Sequence, residues 1–318
     1  MVRFLTILTA LLFAAPINPA PPAAGDHPFV VDELLVGVWL FRAPEHPASH
    51  TNSLVIERDT GLLVVESQPS PESAQDLLRA IGEVSSKPVT YLLLTHAHVE
   101  SSGGASAFPE STLVISSRVT SEALQDEARD LAGETRSRSG NPDVWGAPPR
   151  VRPDLLISSG TQLADGKHLV EMLPLQGGHC PGSLIVRIAD AGFYYVGSTI
   201  APDRNPFAEV GHSNIRAWVN SLNSLSLQRP KVIVPLRGKV LDAETLRKFR
   251  DSLVWVVGQV EDAFIEGIDS EEVISYAMDS PRLGEYFDMG ADPSFVATLF
   301  ETARQDALAQ RHKREIAP

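Results

Sequence analysis

Residues 89–95 (VTYLLLT) form an unbroken apolar run of strand length, and a histidine pair, His96 and His98, follows at its C-terminal end. A run this short, apolar without alternation, reads as a strand buried on both faces. Such a strand needs neighbours beside it and layers above and below it. The chain supplies both. Residues 34–41, 52–56, 61–66, 112–116, 167–173, 183–188, 192–197 and 231–235 also read as strands, punctuated by turn residues such as Asp59-Thr60-Gly61. Residues 70–83 read as a helix, with Ser70 as cap and Pro71 in the first turn. Strands alternating with short helices predict an α/β fold over residues 27–240.

From residue 242 the period changes to 3.6. Leu246, Phe249, Leu253, Val256, Val260 and Phe264 share one helix face, and Gly267 stops the run. Asp269 with Glu272 caps a second helix, and Asp292-Pro293 opens a last one. Residues 241–318 are therefore expected to be a C-terminal helical extension. Between the strands, residues 117–150 are polar and irregular with a helical start. A segment of that kind often frames a site, and Trp145 within it is a candidate to line a cleft.

The first residues read as an export signal. Met1-Val2-Arg3 gives a basic start, residues 4–15 are apolar but too short to span a bilayer, and a Pro/Ala-rich stretch follows. Ala20 and Ala24 are both possible cleavage points, and an uncleaved anchor is the alternative. No later stretch reads as a membrane span. Cys180 is the single cysteine, so no internal disulfide can form. An export signal without disulfides points to a periplasmic or extracellular protein. The formal net charge of −13 argues against a nucleic-acid partner, because a strongly acidic chain repels a phosphate backbone. A small-molecule substrate is expected instead.

In extended backbone, residues two apart point the same way, so His96 and His98 can aim at one ion. Residues 177–183 (GGHCPGS) form a glycine-bounded turn between two strands and add His179. Three neutral imidazoles with an open fourth position make a catalytic zinc arrangement.

These segments resemble the metallo-β-lactamase superfamily. THAHVESSGG is similar to its T-H-x-H-x-D-H-x-G-G signature, GGHCPGS to its P-G-H-T-P-G-S turn, YYVGST to a strand ending in Gly-Asp, and VPLRG to V-P-G-H-G. Residues 52–55 and 62–67 resemble its opening hairpin. The resemblance implies an αββα sandwich and a first metal site of His96, His98 and His179. It also exposes departures. The usual second-site ligands fall on Glu100, Ser101, Ser198 and Arg237. Arg237 cannot ligate, since its guanidinium stays protonated. One zinc ion is therefore expected, with the second position empty of metal. Glu100 and Arg237 are expected to fill that position as an ion pair supported by Ser101 and Ser198. Alternatively, Arg237 holds a substrate carboxylate, and Glu100 serves as general base. Glu66, where the family often has Asp, reads as structural, Cys180 as a small buried residue, and His168 and His212 as packing or surface residues. Asp203 receives no metal role.

The resemblance implies a zinc-dependent hydrolase of a small ester, thioester or amide, similar to periplasmic members linked to quinoprotein oxidation systems. The alternative is a catalytically inactive binding protein on the same fold. Iron redox chemistry, as in persulfide-oxidising relatives, ranks lower, because Ser198 stands where those relatives use aspartate.

Overall fold

The computed structural model describes residues 27–43, 50–126, 130, 150–201, 208, 212–287 and 294–315. The expected export signal, Trp145, Asp203 and the expected Asp292-Pro293 cap lie outside the described residues.

Among these residues, twelve strands form two sheets. The first runs in chain order through β1 (Val30–Leu35), β2 (Val38–Arg42), β3 (Ser53–Glu57), β4 (Leu62–Val65), β5 (Val89–Leu93), β6 (Leu113–Ser117) and β7 (Leu155–Ile157). Its first four strands are an antiparallel meander, and β4 to β7 are parallel. The crossover from β4 to β5 is helix α1 (Pro71–Val84), closed at its start by the Ser70–Ser73 capping box. The second sheet has β8 (Thr161–Leu163), β9 (Val170–Pro174), β10 (Leu184–Ile188), β11 (Phe193–Gly197) and β12 (Val232–Pro235). It is antiparallel except for β11 with β12.

Side-chain alternation sorts three apolar layers. Leu54, Ile56, Leu63, Val65 and Leu93 of the first sheet face Val170, Met172, Val186, Phe193 and Tyr195 of the second. The opposite face of the first sheet, with Val55, Leu62, Val64 and Leu92, receives Leu77 and Ile81 of α1. On the opposite face of the second sheet, Ile185, Tyr194, Val196 and Ile233 receive helices. Period-2 alternation therefore serves two cores at once, which is why these strands read as unbroken apolar runs. The architecture is the expected αββα sandwich.

Helix α2 (Val99–Ser102) follows the histidine pair, α3 (Arg118–Gln125) follows β6, and α4 (Ile215–Leu227) connects β11 to β12. The C-terminal part holds α5 (Ala243–Ile265), α6 (Val273–Met278), α7 (Leu283–Tyr286) and α8 (Ser294–Glu315). Leu246, Leu253, Val256 and Val260 of α5 and Leu299 and Phe300 of α8 share one continuous core with α4 and the second sheet. These helices thus extend the outer helical layer. Among the described residues, no helix is long and apolar enough to cross a membrane.

Local details differ from the sequence expectation. Residues 34–41 are not one strand: they turn at Val36-Gly37, where Gly37 takes φ +75°, and belong to β1 and β2. The three-residue strands β7 and β8 and the one-turn helix α2 carry too little periodicity to be read alone, whereas α4 is an additional helix whose buried Ile215, Trp218, Leu222 and Leu225 recur at helical spacing.

The shared core makes a prediction. Leu253 is fully buried in it, so Leu253→Ala should cost about 2–5 kcal/mol. Urea unfolding should show this loss in a single transition. An early, separate transition of the helices would contradict the shared core.

Candidate functional site

The histidines come from strand ends of both sheets. His96 follows β5, His98 caps α2, and His179 sits in the turn between β9 and β10. All three are buried. One ligand atom from each lies within 4.8 Å of the others. The ring centroids are 4.8–5.0 Å apart. His179 Nε2 and His98 Nδ1 approach to 3.0 Å. Nitrogens bound to one tetrahedral zinc, at about 2.0–2.1 Å each, are spaced about 3.3 Å apart. Two buried imidazole nitrogens this close must share either one hydrogen or one cation, and three imidazoles converging on a point can share a cation. The donor set therefore fits a metal ion.

Close backbone packing holds these turns. A Cβ on Gly103 would meet Pro69 O at 2.0 Å, and one on Gly104 would meet Ser67 O at 2.1 Å. Only glycines let α2 seat against residues 67–70. Ser67 N donates to Ser101 O, and Gly104 N donates to Gln68 O. Glu66 and Gln68 take φ of 72° and 78°, a left-handed conformation costly for residues with a Cβ. Their surroundings hold them there. Glu66 N donates to Leu93 O, while Gln68 Nε2 donates to Thr51 O and Ser53 Oγ. Behind His179, the Ser213 hydroxyl donates to its carbonyl, and the Trp218 ring lies 6.2 Å from the imidazole.

Glu100 Oε1 stands 4.0 Å from His96 Nε2 and 3.9 Å from His98 Nδ1. A carboxylate oxygen thus flanks the nitrogens that would hold the ion. Ser198 Oγ is 3.3 Å from His96 Nε2. Arg237 is half-buried and donates Nη1 to His50 O at 3.0 Å. Among the described residues, the ion-pair contacts of Glu100 are to the histidines. Ser101 is turned away from Glu100: its hydroxyl donates to Glu66. The short Ser101 side chain, on a helix pressed against residues 66–68, meets the buried carboxylate first. His168 packs between segments, with Nε2 3.0 Å from Val36 O, and His212 is exposed. Cys180 is buried, with Sγ 3.4 Å from Ser183 Oγ.

Glu66 is fully buried. It accepts hydrogen bonds from Thr95 N at 3.2 Å and from the hydroxyls of Thr95 and Ser101. Burial pushes its carboxyl above the ordinary value, while the His96 charge and these hydrogen bonds pull it partly back.

The role of Asn52 is not legible from its neighbours in the chain. Its backbone N donates to Leu236 O at 2.7 Å, and its Nδ2 donates to Pro235 O and Gly238 O, both at 2.9 Å. Its Oδ1 accepts from Ala43 N, and its carbonyl accepts from the Tyr195 hydroxyl. One residue thus clips the start of β3 to the turn that carries Arg237. No local pattern announces contacts across more than 180 residues.

With this geometry in place, comparison with known proteins identifies the family. The metallo-beta-lactamase superfamily model matches residues 46–236. That is more than half of the chain, and the chain belongs to this superfamily. It is 23% identical over 207 residues to a type 2 metallo-beta-lactamase of Bacillus sp. (strain 170), covering 64% of this chain and 72% of that one. A metallo-beta-lactamase from Pontibacter korlensis superposes with a TM-score of 0.56 at 20% identity, over 71% of this chain and 99% of that chain. A stereoselective inverting sec-alkylsulfatase from Pseudomonas sp. superposes with a TM-score of 0.68 at 14% identity, over 91% of this chain and 52% of that chain. Residues 1–240 are about three quarters of the sequence, so the sulfatase likeness must reach into the C-terminal helices.

The Asn52 clip is testable by stability. Asn52→Ala strips the Pro235 and Gly238 carbonyls of a donor. At about 1–3 kcal/mol per buried group left unpaired, urea unfolding should show a loss of about 2–4 kcal/mol. A loss below about 0.5 kcal/mol, the scale of an ordinary surface substitution, would contradict the clip.

Proposed function

We propose that this chain is an exported metal-dependent hydrolase that holds one zinc ion on His96, His98 and His179 and cleaves a small ester, thioester or amide. The observation that carries this reading is the convergence of three buried imidazole nitrogens with Glu100 Oε1 beside two of them. Zinc is preferred over iron on donor chemistry. All three donors are imidazoles, whereas oxygen-activating iron sites of the facial type include a carboxylate.

Bound zinc supplies Lewis acidity and a water that ionises near neutral pH. The residues of this chain do the rest. The three imidazoles would hold the ion at the strand ends. Glu100 Oε1, about 4 Å from two of the ligand nitrogens, is in position to orient the attacking water and accept its proton. Arg237, steadied on His50 O, supplies the positive charge that a second metal would otherwise bring. That charge also suits an anionic group on the substrate.

The relatives' names cover a lactamase, an alkylsulfatase and, over 28% of this chain at 33% identity, the alpha subunit of a 2,4-dinitroanisole O-demethylase from Nocardioides sp. (strain JS1661). What supports hydrolysis here is the site rather than any one of those substrates. A non-catalytic binding protein is the second reading, favoured by Ser101, Ser198 and Arg237 at positions where ligands would complete a second metal site.

The test is a panel of nitrophenyl esters, thioesters and β-lactams, assayed after chelation and after zinc reconstitution. Zinc should restore turnover, and His98→Ala should remove it by at least about 10²-fold, the scale of losing one strong transition-state contact. Rates untouched by His98→Ala would overturn the hydrolase reading, and zinc binding without turnover would favour the binding protein. Glu100→Gln should retain zinc and lower kcat by about 10²–10⁴-fold, as expected for losing a general base. A variant with unchanged kcat would remove Glu100 from that role.

A further inference from the structure

One hydroxyl hydrogen on Thr95 determines which nitrogen of His96 is free to bind metal. Thr95 Oγ1 lies between two groups: Glu66 Oε1 on one side and His96 Nδ1, 3.1 Å away, on the other. A hydroxyl has a single hydrogen, so it can donate to one of them and must accept from the other. The Glu66 carboxylate already collects the backbone N–H of Thr95 and the hydroxyl of Ser101, both on Oε2. As an acceptor for three donors it draws the Thr95 hydrogen to Oε1. Thr95 Oγ1 must then accept from His96, which places the imidazole hydrogen on Nδ1. Nε2 is left with its lone pair, and Nε2 is the atom that faces Glu100 Oε1 and Ser198 Oγ. The opposite arrangement, with a hydrogen on Glu66 Oε1 and the Thr95 hydrogen on His96 Nδ1, would put the imidazole hydrogen on Nε2 and block ligation.

We propose that Glu66 is a positioning residue that acts through Thr95 to hold His96 in its metal-binding tautomer and orientation. The proposal rests on the metal-site reading above. Three further features fit it. Glu66 has no solvent exposure, so no water competes for its oxygens. Its backbone is held at φ 72°, a conformation that the surrounding hydrogen bonds must maintain. Gly197 packs against the same group, where a Cβ would lie 2.7 Å from Thr95 Oγ1 and 3.4 Å from Glu66 Oε1. The carboxylate reaches both Thr95 and Ser101, so one anion steadies His96 and at the same time uses the hydroxyl of Ser101, which stands at a lost second-site ligand position.

Two readouts test this, and neither is activity. In metal-free, ¹⁵N-histidine-labelled protein at pH 8, long-range ¹H–¹⁵N correlation should show neutral His96 with its hydrogen on Nδ1. Zinc affinity, measured by competition with a chromophoric chelator, should fall about 10–100-fold in Thr95→Val, the range for losing a group that orients a ligand. In the same variant the Nδ1–H tautomer should lose its preference, and Thr95→Ser should restore both properties. Glu66→Gln, which offers an amide hydrogen to Thr95, should shift the tautomer towards Nε2–H and keeps the test open if Thr95→Val fails to fold. A wild-type His96 protonated on Nε2 would overturn the proposal. So would variants that bind zinc within twofold of wild type. Wild-type protein that binds no zinc would overturn the metal reading as well, so the two failures are distinguishable.

Discussion

The site depends on burying three imidazoles at one point between two sheets. A buried histidine with an unpartnered nitrogen is costly, and three of them facing one another are tolerable only if a cation or a shared hydrogen satisfies the lone pairs. The sandwich meets this demand at its strand ends. β5 delivers His96 and His98, and the turn between β9 and β10 delivers His179. The inter-sheet core sets the distance between these two pieces of chain. Glu66, Gln68 and Asn52 then fasten the surrounding turns with hydrogen bonds that cross from one segment to another. Packing thus brings the imidazoles together, and polar clips set their orientation.

The parts of this arrangement that were legible in sequence are those with local signatures. The long apolar run before His96, the two-residue spacing of His96 and His98, and the glycine-bounded turn around His179 each carry their meaning within about ten residues. The layered fold was legible too, because strands buried on both faces lose their alternation. Less legible was anything decided across the fold. β7 and β8 are three residues long and earn their place only by pairing with β6 and β9. Asn52 looks like an ordinary strand-start residue until the turn at 235–238 folds against it. Ser101 looked like support for Glu100, but α2 turns it towards Glu66. Residue type suggested the chemistry at these positions; only the packing showed which groups meet.

Ser101, Ser198 and Arg237, which the resemblance aligns with second-metal ligands, also form a pattern. Ser101 is committed to Glu66, Ser198 stands beside His96 Nε2, and Arg237 is anchored on a backbone carbonyl. Each of these three side chains has a partner within the protein. The C-terminal helices belong to the same economy. They cover the second sheet and pack around Trp218, whose indole donates to Thr199 O and whose ring lies beside His179. The outer helical layer therefore reaches, through one buried tryptophan, to the back of the metal cluster.

A single metal ion held by three named nitrogens is the central claim. Zinc-soaked crystals measured across the zinc absorption edge test that claim most directly. One anomalous peak per chain is expected, bonded to His96 Nε2, His98 Nδ1 and His179 Nε2 at about 2.0–2.1 Å. A second peak ligated by Glu100 would contradict it, as would the absence of any peak among the three histidines.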